Sequence, residues 1–525
     1  MAKAGEKIEK VFRTHADRTF LLWQGRELTY AAFEERCRRV AGLLRSRGLG
    51  HHAGRESRVA TILNNSPDYA AFYLGSLLAG VTIAPINQNL TAEEISFLIA
   101  NSAIDLLVYS PDQEALVRKA TADTGCRTLC LAGSGDDARG VATETCRLDA
   151  AVPDGALRWA EIPDQHTIAV VFSSGTTSHP KGIRHRALSY VEAATAFGSA
   201  MGYDARTRLI DLWPMAYNTG WLNCLLCPFF AGGSVVISKP FDGQLALSFW
   251  EPVIAQGVNT LWLSPSMLST LVRIDRDPRG PEYCRRERVT VCAGTAPLPL
   301  KTKKAFEVKY GVEVFESYGV SEVLFVAMSR PSDPRHEGAV GRALPGVEIA
   351  IVDGDGRSVG PDAEGEVVIR SPWLMKGYDP RDGAAEPSAA ANGAFHSGDI
   401  GVLDREGNLR IVGRKKDIII RGGLNLSPRA IEDVIQDHPA VDLVAVVGMP
   451  HEYYGEEVVA AVQLKAGHVL ADEHASMANL CRARLSTAAI PSRFVAFRQL
   501  PVGATGKILK REIREVLRKG DALAS

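Results

Sequence analysis

A chain of 525 residues exceeds what one hydrophobic core ordinarily serves, so at least two domains are expected. Its 46% hydrophobic and 23% charged residues are a globular composition that excludes extensive disorder. With 60 Lys+Arg against 61 Asp+Glu, the net charge of −1 excludes a whole-chain basic footprint for nucleic acid. The nine cysteines are scattered. Only Cys224 and Cys227 stand at a CxxC spacing, without a second ligand pair nearby, and they read as part of an apolar wall.

Residues 1–12 carry positive charge but no apolar run of signal-peptide length, so a cytoplasmic location is expected. Thr29 is placed to cap a helix whose apolar positions Phe33, Cys37, Val40, Ala41 and Leu44 recur at helical spacing and stop before Gly48. Residues 59–63 read as a strand, Ser66-Pro67 as the start of a helix over 69–78, and residues 81–86, after Gly80, as the next strand. A further strand is expected at 106–109. This βαβ rhythm predicts an α/β fold with a mainly parallel, helix-covered sheet. Residues 133–155 mix Gly, Asp, Thr and Ala without periodicity and are expected to be a surface excursion. The most apolar stretch, 221–237, is interrupted by Asn223, Pro228 and Gly232-Gly233 and falls short of the roughly 20 residues that span a bilayer. It reads as buried core, and no membrane span is expected.

Residues 168–172 form a strand-like run that empties into Ser173, Ser174, Gly175, Thr176, Thr177, Ser178, His179, Pro180, Lys181 and Gly182. Glycine and hydroxyl residues after a buried strand can present N–H and O–H groups to phosphate oxygens, with a lysine to match the charge. The Gly175-to-Lys181 spacing is that of a Walker A loop, but Pro180 stands where the second glycine belongs and Gly182 where the hydroxyl belongs, which excludes a standard P-loop. An ordinary Ser/Thr turn competes with the phosphate cradle for this segment taken alone. Beyond Pro345 the pattern changes to strands broken by Asp353-Gly354, Asp355-Gly356 and Glu406-Gly407 turns, which predicts a more antiparallel lobe. The charged stretch 414–417 then separates a large domain, 1–414, from a small α/β domain, 415–525.

Further segments follow in a fixed order: Glu316-Ser317-Tyr318-Gly319-Val320-Ser321-Glu322, Gly398-Asp399, Gly413-Arg414-Lys415-Lys416-Asp417, Gly422-Gly423 with Asn425 and Pro428, and Pro501 to Gly506-Lys507. Together with the 173–182 loop this ordered set resembles the adenylate-forming superfamily: acyl-CoA synthetases, adenylation domains of peptide synthetases and beetle luciferases. The resemblance covers nearly the whole chain. It implies a large N-terminal domain of fused α/β subdomains plus the antiparallel lobe, with a small C-terminal domain swinging on a hinge at Lys416. It also implies that ATP and magnesium activate an organic acid as an acyl-adenylate, which then passes to the thiol of CoA or of a carrier protein's phosphopantetheine.

The same resemblance distributes the roles. Ser173 to Thr177 and Lys181 belong to the phosphate loop. Ser321 and Glu322 belong to the catalytic motif, with Glu322 as the magnesium ligand, an oxygen donor suited to a hard cation beside triphosphate. Tyr318 flanks adenine, with Glu316 and Gly319 in the same motif, and the turn Gly294-Thr295-Ala296-Pro297 lines the nucleotide. Asp399 accepts from the ribose hydroxyls, and Arg414 contacts ribose or phosphate. Lys507 is the mobile cation that offsets the charge gathered when a carboxylate attacks the α-phosphate. Gly422, Gly423 and Asn425 face the thiol acceptor after the small domain rotates. A catalytically inactive nucleotide-binding scaffold is the rival of another class, and retention of Lys181, Glu322, Asp399, Arg414 and Lys507 argues against it.

One segment departs from the family. Relatives commonly carry Pro-x-aromatic-His before the acyl pocket, whereas this chain has Pro214-Met215-Ala216-Tyr217-Asn218-Thr219-Gly220-Trp221. No Asp follows Pro214 to meet an ammonium, and the nearest, Asp211, precedes it, so an α-amino acid is disfavoured. Tyr217, Asn218 and Trp221, with Gly294 and Val320, suggest a pocket for an aromatic or medium-sized acid, and plain packing of the lobe is the equal alternative. The atypical segment also leaves room for an acyl-AMP ligase serving another nucleophile, or for an atypical oxyanion.

Overall fold

The computed structural model describes residues 3–52, 55–133, 144–173, 181–379, 393–503 and 507–520. Local signals in the N-terminal region act as expected. The Thr29 hydroxyl accepts from the Ala32 N–H and starts the helix Tyr30–Ser46. Ser66 caps Pro67–Ala79 through the Tyr69 N–H, and Gly80, left-handed at φ +72°, ends it. The second helix is apolar all round and buried all round. It crosses the first so closely that a Cβ on Gly75 would stand 2.6 Å from both the Cys37 carbonyl oxygen and the Val40 Cβ.

Behind these helices Val81–Pro85, Arg55–Ile62, Leu106–Tyr109 and Arg127–Leu131 pair in parallel. Thr167–Ser173 continues the sheet in parallel. Lys181–Arg186 then returns antiparallel to it, and Gly377–Tyr378 forms the outer strand. Of the segment expected to be a surface excursion, residues 134–143 lie outside the described residues, and 144–155 are more ordered than their composition suggests. Thr145–Cys146 is an edge strand on Arg127–Leu131, Leu148 is buried, and the Asp154 N–H donates to the Arg38 carbonyl. Two-residue pairing is too short to leave a period in the sequence.

The second sheet has 13 strands. Thr19–Trp23, Ser234–Ile237, Arg208–Asp211, Thr260–Leu263, Thr290–Ala293 and Val314–Val320 form its parallel part. At Val314–Val320 the pairing changes to antiparallel with Leu324–Met328, and it stays so out to Glu348–Val352. The antiparallel lobe is therefore the continuation of a parallel sheet. Cys224 and Cys227 are buried and unbridged in the π-helix Thr219–Leu226 and the short helix that follows it, in keeping with an apolar wall.

After the strand Asn408–Arg414, a 3₁₀ turn, Lys415–Asp417, leads to a third sheet of five strands with its own core. Its first hairpin, Ile419–Arg421 with Leu424–Leu426, turns through Gly422-Gly423 at φ +57° and +82°. That conformation favours two glycines. The Ser427 hydroxyl donates to the Val412 carbonyl at 2.9 Å, Arg429 to the Ile411 carbonyl at 3.0 Å, and Lys301 to the Gln436 carbonyl at 3.2 Å, while Arg273 pairs with Asp442. These contacts hold the small unit against the large one. Among the described residues no helix is long and apolar enough to cross a membrane.

Candidate active site

The site gathers where parallel strands of the second sheet end. After Thr290–Ala293 the chain turns through Gly294-Thr295-Ala296-Pro297. A Cβ on Gly294 would lie 3.0 Å from the Ser317 carbonyl oxygen, so the turn runs directly against the neighbouring motif strand. Thr295 adopts φ +74°, costly for a β-branched residue, and its buried hydroxyl oxygen has no hydrogen-bond partner. Ala296 is half-buried and Pro297 exposed.

Val314–Val320 presents the catalytic motif. Gly319 is required there, since a Cβ would stand 2.1 Å from the Leu324 carbonyl oxygen. Glu316, expected at the nucleotide with its neighbours, has its side chain engaged within the protein. Its carboxylate forms a buried pair with Lys303 at 2.9 Å, and its backbone N–H and carbonyl are both taken by Ser329. Lys303 comes from the helix Leu300–Tyr310.

Two residues beyond Glu316, the Tyr318 hydroxyl donates to Asp399 Oδ2 at 2.6 Å, and Arg414 Nε meets Asp399 Oδ1 at 2.6 Å. Asp399 and Arg414 stand opposite each other on adjacent antiparallel strands, which is why a Gly-Asp and a Gly-Arg far apart in sequence share one site. Burial raises the Asp399 carboxyl, with Arg414 the main opposing charge, and it raises the Tyr318 hydroxyl more strongly, reinforced by Asp399.

On the other side of the motif the Tyr378 hydroxyl donates to Glu322 Oε1 at 2.9 Å, and Lys181 Nζ lies 5.2 Å above the centre of the Tyr378 ring. Burial, then the Glu322 charge, raises the Tyr378 hydroxyl. His185, fully buried, contacts the Ser321 carbonyl through Nε2 at 2.8 Å, and burial pushes its pKa down to about 4. A neutral imidazole therefore holds the turn that carries Glu322. Sequence reasoning missed both Tyr378 and His185. The first belongs to a two-residue strand and the second sits inside an amphipathic strand, so neither leaves a motif.

Lys507 arrives from the small domain. It is exposed as a residue, yet its ammonium lies within electrostatic reach of Arg414, Asp399, Lys416 and Glu322. Partial desolvation, then the Arg414 charge, lowers its pKa. Lys416 is lowered in the same way, by desolvation foremost. Ser174, Gly175, Thr176 and Thr177 lie outside the described residues, while Ser173 and Lys181 pair across the strands on either side of them. Gly422, Gly423 and Asn425 are exposed on their hairpin.

The acyl-pocket expectation divides. Trp221 is fully buried and stacked against Tyr73 at 4.0 Å and Tyr190 at 4.5 Å, which favours the packing alternative. Tyr217 and Asn218, by contrast, are half-buried. The Tyr217 hydroxyl accepts from the Asn87 amide, and Asn218 Oδ1 accepts from Tyr190 at 2.6 Å. Val320 is buried beside the motif. Asp211 is fully buried, accepts from the Trp213 N–H, and is held well above the ordinary carboxyl range by burial, so it offers no charge to an ammonium.

As a home for magnesium, Glu322 suits a cation shared with phosphates. Among the described residues the one close group of three metal-ligating side chains is His336, Asp404 and Glu406, without Glu322. Glu322 would thus supply one carboxylate beside substrate oxygens, the usual pattern for magnesium on a nucleotide.

Comparison with known proteins matches residues 8–379 to the family described as AMP-binding enzyme and residues 430–507 to the AMP-binding enzyme C-terminal domain. A sulfoacetate–CoA ligase of Cupriavidus necator is 28% identical over 95% of this chain and 94% of its own length. An oxalate–CoA ligase of Arabidopsis thaliana is 30% identical, covering 97% of each. The solved structure of the amide bond synthetase McbA from Marinactinospora thermotolerans superposes with a TM-score of 0.84 at 29% identity, over 98% of this chain and 99% of the other.

Proposed function

Because the chain belongs to the family of AMP-binding enzymes, within the adenylate-forming superfamily of acid–CoA ligases, we propose that it activates a carboxylic acid with ATP and transfers the acyl group to CoA. The observation that carries this reading is that Lys507 from the small domain feels the charges of Asp399, Arg414 and Glu322, which the large domain holds in the Tyr318–Asp399–Arg414 and Tyr378–Glu322 contacts.

In the first half-reaction a carboxylate oxygen bonds to the α-phosphorus of ATP as the bond to the β-phosphate oxygen breaks and pyrophosphate leaves. Two anions are forced together, and Lys507 supplies the offsetting charge. The Asp399 carboxylate accepts from the ribose hydroxyls through the lone pairs that Tyr318 and Arg414 leave. The Tyr318 ring bounds adenine, with the Gly294–Pro297 turn opposite. Lys181 and the 173–177 segment bind the phosphates. Magnesium, when bound, neutralises phosphate charge beside Glu322. In the second half-reaction the thiol sulfur attacks the acyl carbonyl and AMP leaves, after rotation about Lys416 brings Gly422, Gly423 and Asn425 to the acceptor.

The acid is a medium-sized carboxylate, aromatic acids included, and not an α-amino acid. Tyr217 and Asn218 offer hydrogen bonds to its tail, and the neutral, buried Asp211 offers nothing to an ammonium. The amide bond synthetase likeness favours a second reading, in which an amine takes the acyl group.

A panel of acids in ATP–pyrophosphate exchange, followed by CoA or an amine and identification of the product by mass, tests both. Acid-dependent exchange with a CoA thioester is expected. Exchange followed only by amide would select the second reading, and nucleotide binding without exchange for any acid would leave an inactive scaffold.

A further inference from the structure

The residues between the phosphate loop and the catalytic motif carry a role that no motif assigns. Residues 376–379 lie along the strand that leaves the phosphate loop. The Lys376 N–H donates to the Arg184 carbonyl at 2.8 Å, Tyr378 pairs with Ile183, and the Asp379 N–H donates to the Gly182 carbonyl at 2.7 Å. Gly377, at φ +144°, makes the bend that this path needs. Asp379 is buried and paired with Arg58, which anchors the run to the centre of the first sheet. The backbone that carries the Tyr378 ring is thereby held to the neighbouring strand on both sides of it.

That ring separates two opposite charges. Lys181 lies over its face and Glu322 accepts from its hydroxyl, and among the ion pairs of the described residues the two do not meet each other. A direct Lys–Glu pair would consume both the phosphate's cation and the metal's ligand. The hydroxyl engages one oxygen of Glu322 and, among the described residues, Oε2 takes no hydrogen bond, while the Met375 N–H holds the Glu322 carbonyl at 2.8 Å. Backbone and carboxylate are thus both oriented by one short segment, an arrangement that tunes metal ligands from outside the coordination sphere.

We propose that Tyr378 is a positioning residue that sets the Glu322 carboxylate for the divalent cation accompanying ATP and keeps Lys181 from neutralising it. The inference rests on the reading of Glu322 as metal ligand given above. Tyr378→Phe keeps the ring under Lys181 and removes only the hydroxyl.

The test measures ATP affinity by calorimetry in EDTA and again in Mn²⁺, for the full chain and its variants, with the melting temperature as a check on folding. For Tyr378→Phe the strengthening of ATP binding by Mn²⁺ should fall about 10–100-fold, with binding in EDTA unchanged. Tyr378→Leu, which also uncovers Lys181, should weaken ATP binding in EDTA as well. An unchanged Mn²⁺ effect in Tyr378→Phe, or an equal loss with and without the cation, overturns the proposal. Glu322→Gln separates the two layers: if it too leaves the Mn²⁺ effect intact, the metal-ligand reading itself fails. If it abolishes the effect while Tyr378→Phe does not, only the role of Tyr378 fails.

Discussion

The two flanks of the catalytic motif repeat one device with different completeness. On one flank Tyr318 donates to Asp399 and Arg414 takes the other oxygen, so both oxygens of the buried carboxylate are engaged, the more saturated of the two cases. On the other flank Tyr378 donates to Glu322, but the cation Lys181 sits over the ring rather than on the carboxylate, and among the described residues the second oxygen takes no hydrogen bond. A carboxylate with a partner on each oxygen receives further hydrogen bonds only through its remaining lone pairs, whereas one with an oxygen less engaged can give that oxygen to a cation. The difference suits the ligands proposed: ribose hydroxyls offer hydrogen bonds that remaining lone pairs accept, whereas a divalent cation needs an oxygen not already neutralised.

Lys507 feels both flanks, through Asp399 and through Glu322, and its removal should have the largest effect. Lys507→Ala is expected to slow adenylation by about 10²–10³-fold, the cost of deleting one preorganised group aimed at developing charge. Thioester formation from supplied acyl-adenylate should persist. A comparable loss in both half-reactions would remove the domain rotation from the account.

The saturated flank is tested by Asp399→Ala, which leaves Arg414 and Tyr318 without their shared acceptor. Charged hydrogen bonds are worth about 1.5–3 kcal/mol, so the KM for ATP should rise about 10- to 150-fold. A rise confined to kcat would show that Asp399 does not meet the nucleotide in the ground state.

The unsaturated flank depends on neutral His185. Its folded pKa of about 4 lies below the ordinary 6.5, so the folded protein refuses a proton that the unfolded chain accepts. The stability it contributes is complete above pH 6.5 and is lost as pH falls from 6.5 towards 4, about 2 kcal/mol of it by pH 5. Urea unfolding at pH 7 and pH 5 should show this loss in the parent and a smaller one in His185→Asn. Equal losses would mean that other groups carry the acid sensitivity.

The smallest effect is expected for Tyr318→Phe, which removes one of two partners from Asp399. A cost near 1 kcal/mol in ATP binding, with no dependence on divalent cation, would contrast with the cation-specific loss expected for Tyr378→Phe. Matching behaviour of the two phenylalanine variants would erase the distinction between the flanks.

Much of this architecture is legible in the chain. Thr29, Ser66 and Gly80 act within a few residues of themselves, through caps and a left-handed turn, so the helices they bound follow from local chemistry. The ordered motifs from Ser173 to Lys507 were legible for the same reason, as each is a short run whose residue types suit one task. The roles of Glu316 and Trp221 were not. Both carry chemistry suited to a binding site, and only the packing of Lys303 against one, and of Tyr73 and Tyr190 against the other, turns them inward. Burial depends on what lies opposite, and that partner is set by strand register and helix crossing across long separations.

The sequence by itself determined the α/β rhythm, the glycine turns, the composition class and the residues able to handle phosphate, because these rest on backbone preference and side-chain chemistry within a few positions. The tertiary structure alone decided that Asp399 meets Tyr318 and Arg414, that the antiparallel lobe extends the parallel sheet, and that Tyr378 stands between Lys181 and Glu322. Tyr378 and Lys181 are 197 positions apart, and their meeting is decided by one antiparallel pairing, Ile183 with Tyr378. Such a pairing is chosen by the energy of the whole assembled sheet, which no stretch of the chain contains.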